Sequence, residues 1–270
     1  MNNKKNILLF LLVIVVIVVA AVFFTIGNKP EEKVLKVGAT PVPHSEILEF
    51  VKPILVEKGI ELEIVEFTDY VTPNLALDEG SIDANFFQHL PYLESFNRDH
   101  NLDLVSAAKI HVEPFGLYSE KIQSIDELAD GALIAVPNDP SNEGRALLLL
   151  ASKGYITLEV ENELEATPYD IVENQKNLEF RELEAAQLPR VLPDVTAAFI
   201  NTNYALEAGL NPLDDALIIE GSESPYANII TVRKEDQDSE LTNILVETLT
   251  SKEVRDFILE KYQGAVVPAF

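Results

Sequence analysis

Hydrophobic positions along this chain change their pattern sharply at about residue 30. From Ile7 to Ile26, twenty consecutive residues are apolar except Thr25. At ~1.5 Å per residue such a helix spans roughly 30 Å, the hydrocarbon thickness of a bilayer. Lys4 and Lys5 precede it, a positive flank that keeps the N-terminus inside and sends the remainder outside. The pattern predicts a cytoplasmic segment 1–6, a single transmembrane anchor 7–26 and a linker 27–32. A cleaved signal peptide is the competing reading, because Val18-Val19-Ala20 could pass as a cleavage site. Signal cores usually run about 7–15 apolar residues, and cutting there leaves Val22-Phe23-Phe24 as an apolar stub.

Beyond Lys33, short apolar runs alternate with amphipathic ones. Val34–Ala39 reads as a buried strand, followed by the turn Thr40-Pro41-Val42-Pro43. Ile47, Phe50, Val51, Ile54 and Leu55 recur at helical spacing, which predicts a helix over 44–58 stopped by Gly59. Glu61–Phe67 alternates as a strand does. A helix over 70–78, a strand over 82–86, a helix over 91–98 and a strand over 102–110 follow. The second half predicts strand 132–136, helix 142–153, strand 180–183, helix 186–192, strand 195–200 and one long helix 240–262. His111–Tyr118 and Tyr226–Val232 read as extended segments crossing between lobes. Strands alternating with helices of this length predict parallel βαβ units, an α/β fold in two lobes of about 100–120 residues.

Composition narrows the function classes. Acidic residues number 45 against 20 Lys plus Arg in 270, a formal charge of -25. That field repels phosphate backbones and argues against nucleic-acid binding. The absence of Cys removes disulfides, thiolate metal sites, cysteine catalysis and any lipid anchor that needs a thiol. Phosphate-loop, nucleophile-elbow, zinc-protease and dinucleotide fingerprints are all missing from the sequence. The four histidines, His44, His89, His100 and His111, are scattered. A metal-ion receptor using His44, His89 and His111 is therefore a weaker alternative.

Three stretches carry more chemistry than a scaffold needs. Asp83 to Tyr92 packs Phe86, Phe87, Gln88, His89 and Tyr92 around a strand-to-helix turn, where open α/β sheets bind ligands. Pro137 to Arg145 follows a strand and opens a helix. A helix N-terminus with Arg145 in its first turn suits an anion, and a guanidinium can grip a carboxylate with two bonds. The third stretch pairs Asn201-Thr202-Asn203-Tyr204 with Pro225-Tyr226-Ala227-Asn228. Asparagine offers both donor and acceptor to an amino acid.

Gly38-Ala39-Thr40-Pro41, Asn85-Phe86-Phe87-Gln88-His89, Pro137-Asn138-Asp139-Pro140, Asn142 to Leu147 and Glu184 to Arg190 together resemble a known family. Asn203 to Gly209, Pro225 to Ile229 and Gly264 to Phe270 fit as well. The family is that of NlpA-type lipoproteins, methionine-binding proteins of bacterial ABC importers, and the resemblance runs from about Lys33 to Phe270. It implies a two-lobed periplasmic-binding-protein-like fold with two crossing segments: lobe 1 from 33–112 and 228–270, lobe 2 from 113–227. It implies capture of methionine outside the cell and delivery to a permease and its ATPase, without cofactor, metal or covalent chemistry. By motif, Tyr70, Phe87, His89 and Tyr92 would wall the ligand side chain. Arg145 would hold the carboxylate, and Asn203 and Asn228 the polar backbone groups. The missing lipid-carrying Cys is a departure from the family, and the apolar segment 7–26 stands in its place. Another small amino acid, a methionine-containing dipeptide or a surface enzyme for amino-acid substrates are the remaining alternatives.

Overall fold

Two mixed β-sheets, each covered by helices, account for the alternation seen beyond Lys33. A computed structural model describes residues 33–160, 162–221 and 225–270. Among these residues no helix is long and apolar enough to cross a membrane. The anchor expected over 7–26 lies outside the described residues.

The first sheet opens with β1 (Lys33–Ala39), β2 (Ile60–Glu66), β3 (Ala84–His89) and β4 (Val105–Val112). Helices α1 (Glu46–Glu57), α2 (Thr72–Asp78) and α3 (Leu90–His100) connect them. The chain then enters the second sheet through β5 (Gly116–Tyr118) and β6 (Leu133–Pro137). Helix α4 (Pro140–Ser152) leads to a small hairpin, β7 (Ile156–Leu158) and β8 (Ile171–Asn174). The second sheet is completed by β9 (Glu179–Leu183), β10 (Ala197–Ile200) and, after α5 (Thr202–Glu207), β11 (Ile218–Ile219). The chain returns to the first sheet as β12 (Ala227–Val232), then α6 (Glu240–Leu249), α7 (Lys252–Tyr262) and β13 (Val267–Pro268).

Strand order is β13-β4-β12-β3-β1-β2 in the first sheet and β11-β5-β10-β6-β9 in the second. Parallel pairing joins β1 to β2 and β3, and β6 to β9 and β10. The returning β12 is antiparallel to both β3 and β4 in the first sheet, and β5 is antiparallel to β10 in the second, so both sheets are mixed rather than wholly parallel. Each sheet has its own core. Val37, Ile47, Val51, Leu62, Phe86, Ile230, Leu245 and Ile258 pack in the first. Leu117, Ile134, Val136, Leu147, Leu150 and Phe199 pack in the second.

Predicted and observed elements differ at several places for local reasons. Of the crossing expected over His111–Tyr118, His111 and Val112 end β4 and Gly116–Tyr118 form β5, so residues 113–115 alone join the two sheets there. Strand β3 runs on through Phe87, Gln88 and His89, because β12 continues to pair with it as far as His89. The segment 186–192 is a 3₁₀ turn over Ala185–Val191, since Pro189 inside it has no N–H to give. The C-terminal helix is two helices, with Ser251 accepting from the Val254 amide to restart the second. Tyr226–Val232, read as a crossing, is mostly the strand β12 in mid-sheet.

Gly144 in α4 fixes how closely the segment Glu163–Glu165 seats on that helix. A Cβ there would stand 2.7 Å from the Leu164 carbonyl oxygen and 2.9 Å from the Ala166 nitrogen, both backbone atoms that cannot rotate away. Gly144→Ala should therefore destabilise through overpacking, by about 1–3 kcal/mol. That corresponds to a melting point lowered by roughly 2–12 °C at about 2–4 °C per kcal/mol, readable by thermal unfolding. An unchanged melting point would mean that the segment yields freely.

Candidate functional site

The bulge in β3 sets the first wall of the site. Asn228 pairs with His89 and Ile229 with Gln88, but Ile230 pairs with Phe86, so Phe87 is the extra residue. A bulge of this kind re-aims a side chain. Phe86 goes into the core of the first sheet, while Phe87 joins Tyr92 and Tyr70 in a separate aromatic cluster. Ring centroids lie 5.8 Å apart for Tyr70–Phe87 and Tyr70–Tyr92, and 6.0 Å for Phe87–Tyr92. Tyr92 holds the triangle in place by donating to the Tyr70 carbonyl at 2.8 Å.

His89 caps α3, its Nδ1 accepting from the Tyr92 amide at 3.2 Å. The proton therefore sits on Nε2, which faces Asn142 Oδ1 at 3.1 Å. Burial, aided by the nearby Arg145 charge, pushes the His89 pKa down to about 3. Gln88 behaves differently. Its amide is spent on Asn74, Asn85 and Thr231 in a buried polar knot.

Helix α4 brings the second wall. It begins at Pro140, two residues earlier than predicted, which places Arg145 in the second turn rather than the first. Its N-terminus already has an anion, because Asp139 caps it by accepting from the Asn142 amide at 3.0 Å. Arg145 is 4% exposed and reaches both segments that join the sheets. Nη2 donates to the Glu113 carbonyl at 2.9 Å, and Nε donates to Glu220 at 3.1 Å. Its guanidinium also lies over the rings of Phe115 and Tyr226, 4.9 and 4.3 Å from their centroids. Glu220 and the Glu113 carbonyl occupy the Nε and Nη2 side, so the two-bond grip expected for a ligand carboxylate is not free. Nη1 has no protein partner among the described residues.

Strand β10 ends at Ile200, Asn201 is the N-cap of α5, and the first turn of that helix carries Asn203. Asn203 Oδ1 accepts from the Tyr70 hydroxyl at 2.5 Å, while its Nδ2 is buried without a hydrogen-bond partner. Asn201 donates to Asn142 Oδ1 at 2.9 Å, and its own Oδ1 is likewise unpartnered. Asn228, on β12, sits between His89 and His111 in register. Its Oδ1 meets His44 Nε2 at 3.2 Å.

Behind Asn228 lies a buried group of His44, His111 and Glu113, with one ligand atom of each within 4.8 Å of the others. Both imidazole Nε2 atoms face the same oxygen, Glu113 Oε1, at 3.2 Å for His44 and 2.8 Å for His111. Burial lowers the His44 pKa to about 4 and that of His111 to about 3. Burial pushes the Glu113 carboxyl up, and the nearby His44 and Arg145 pull it part of the way back. The group offers the donor types of a metal site. His89 is not part of it, and His100 stacks on Phe96 at 4.0 Å.

All seven residues singled out from the sequence line one cavity: Tyr70, Phe87, His89, Tyr92, Arg145, Asn203 and Asn228. The free space around these groups is about 340 Å³ with the open mouth included. Gln88, Glu113, Asn142, Asn201 and Thr202 complete the lining. Asn142 and Asn201 stood inside recognised motifs without a role of their own. Glu113 was missed, although a carboxylate two residues after His111 and directly before the apolar stretch Pro114–Tyr118 is the signal that could have marked it.

Relatives share this framework closely. The methionine-binding lipoprotein MetQ of Bacillus subtilis is 42% identical over 90% of this chain and 90% of its own length. The D-methionine-binding lipoprotein MetQ of Salmonella typhi is 45% identical over 86% of this chain and 87% of its own. A nutrient-binding protein from Burkholderia cenocepacia, solved bound to methionine, superposes with a TM-score of 0.85 at 48% identity. The match covers 87% of this chain and 100% of that one. The mixed α/β fold of this chain is of the kind found in periplasmic binding proteins. Residues 35–270 match the family described as NlpA lipoprotein, and the chain belongs to that family.

Proposed function

We propose that this protein is the substrate-binding component of an ABC importer, capturing methionine outside the cell and delivering it to the permease and its ATPase. The observation that carries this reading is a small buried cavity with an aromatic triangle and a cluster of polar groups, Arg145, Asn203 and Asn228. Thioethers interact well with aromatic rings, at about 0.3–1.5 kcal/mol per contact. In this reading Tyr70, Phe87 and Tyr92 enclose the methionine side chain, and His89 fixes the turn that presents them. The ligand carboxylate meets Arg145 through Nη1, assisted by the unpartnered Asn203 Nδ2, while Asn228 holds the remaining polar edge. The names of the relatives, binding lipoproteins rather than enzymes, support a receptor without covalent chemistry. The same reading assigns 33–112 with 228–270 to one lobe and 113–227 to the other. The cleft closes where Tyr70 meets Asn203, His89 meets Asn142 and Tyr204 donates to the Thr68 carbonyl.

The apolar stretch Ile7–Ile26 supports a single-pass anchor that tethers the binding region on the outer face. Twenty apolar residues hold a chain in a bilayer far more firmly than one acyl chain does. Cell fractionation with N-terminal sequencing should find the full chain in membranes with residues 1–26 attached. A soluble form beginning near Ala21 or Asn28 would make the segment a cleaved signal.

Calorimetric titration with methionine tests the site. Arg145→Ala should weaken binding by about 30-fold to several thousand-fold, the equivalent of about 2–5 kcal/mol. Because Glu220 also loses its partner, the melting point should fall too, so the ligand side supplies the control. Methioninamide, which lacks the carboxylate charge, should bind wild type poorly and lose little more in the variant. Methionine binding within about twofold of wild type, under ~0.5 kcal/mol, would confine Arg145 to its role between the crossings. Phe87→Ala should cost roughly 1–3 kcal/mol of affinity through lost apolar contact. Unchanged affinity would take Phe87 out of the ligand wall.

A further inference from the structure

On a regular strand, residues three apart point to opposite faces of the sheet. Asn85 and Gln88 share a face instead. Gln88 Nε2 donates to Asn85 Oδ1 at 3.0 Å, and both side chains meet Asn74 of α2. The pleat must therefore slip by one residue between them, and that slip is the bulge at Phe87. We propose that the amide group of Asn74, Asn85, Gln88 and Thr231 fixes the slip, which makes Asn74 and Thr231 positioning residues that aim Phe87 at the ligand side chain. The role in binding rests on the methionine reading given above.

Strand β12 supplies the frame of reference. Ile230 pairs with Phe86, and both pack in the core of the first sheet. Thr231 pairs with Asn85 and Ile229 with Gln88 on the opposite face, where Ile229 packs with Leu77 of α2 and Leu93 of α3. Thr231 Oγ1 accepts from Gln88 Nε2 at 3.1 Å, which ties the partner strand into the group. Asn74 is the hub. Its Oδ1 accepts from Gln88 at 2.7 Å and from Asn85 at 2.9 Å, while its Nδ2 donates to Gln88 Oε1 at 2.9 Å. All four residues are buried, and each of their side-chain nitrogens and oxygens has a partner.

The regular register shows what these amides prevent. Without the slip, Gln88 would turn to the face of Phe86 and Ile230, and its amide would lie among apolar side chains. Burying an unbonded amide is costly, whereas a fully bonded buried network favours one arrangement over its neighbours. Phe87 would then pair with Ile229 and lose the freedom, as the extra residue, to meet Tyr70 and Tyr92. The hydrogen bonds that penalise the regular register are thus the ones that keep Phe87 in the aromatic triangle. Asn74 and Thr231 lie outside the cavity lining, so any effect of theirs on binding reaches the ligand through β3.

Calorimetric titration of the full chain in detergent with methionine, alongside thermal unfolding, separates aim from stability. Asn74→Leu should weaken methionine by about 10-fold. Added to Phe87→Ala, the same change should cost less than about twofold more, because coupled partners share one loss. Thr231→Val, which replaces the hydroxyl with a methyl, should weaken methionine by about fivefold. Thr231→Ser restores the hydroxyl and should return the affinity to that of wild type. Lowered melting points with methionine affinity within about twofold of wild type in both Asn74→Leu and Thr231→Val would make the amides a stability feature only. An Asn74→Leu penalty that adds in full to that of Phe87→Ala would equally overturn the proposal. If Asn74→Leu fails to fold, the Thr231 pair decides alone, and Val binding as tightly as Ser overturns it. A wild type that binds no methionine would instead overturn the amino-acid reading, a result that no variant of the amide group can produce.

Discussion

One buried guanidinium holds the middle of this molecule together. Arg145 stands on a helix of the second sheet, yet its partners come from both segments that join the sheets. They are the Glu113 carbonyl and Phe115 on the outward path, and Glu220 and Tyr226 on the return. A charge this deep is tolerated only when paired and hydrogen-bonded, and breaking such a pair by removing one member typically costs about 3–5 kcal/mol. The side chain that holds the crossings is also the cavity's one cation among the described residues. In the proposed reading, ligand and framework therefore share one side chain through different nitrogens, and Glu220 neutralises Arg145 before any substrate arrives.

The interior of the site contrasts with the protein's exterior. The chain carries -25 overall, but the cavity is lined mainly by neutral groups, including the four amides of Asn142, Asn201, Asn203 and Asn228. Amides supply donors and acceptors without a desolvated charge, which suits a zwitterion whose net charge is zero. His89 follows the same logic. Burial keeps its ring neutral, and its two nitrogens are used to cap α3 and to reach Asn142. In the proposed reading, the aromatic rings at the other end receive the apolar side chain.

Much of this was legible in the sequence, and the exceptions are instructive. Strands β1, β2, β6, β9 and β10 announced themselves as short apolar or alternating runs, because local patterning determines them. The bulge at Phe87 did not, since it depends on how β12 pairs from more than 130 residues away. The break between α6 and α7 turns on one serine cap inside an otherwise helical stretch. Tyr70, Phe87, His89, Tyr92, Arg145, Asn203 and Asn228 were found together because their motifs are long and distinctive. Glu113 escaped because its local marker is faint, one carboxylate two residues after His111, and because His44 arrives from just before α1, a convergence that no local pattern shows. The Glu220 contact to Arg145 was hidden for the same reason, as one acid among 45.

The central claim is that this fold encloses a single free methionine. Native mass spectrometry of the gently purified full chain addresses it most directly, before and after adding methionine in molar excess. A site for a single free methionine gives one adduct per chain with the mass of methionine, reaching saturation at one equivalent. A persistent adduct of different mass that methionine cannot displace, or a chain that stays unliganded in excess methionine, would contradict it.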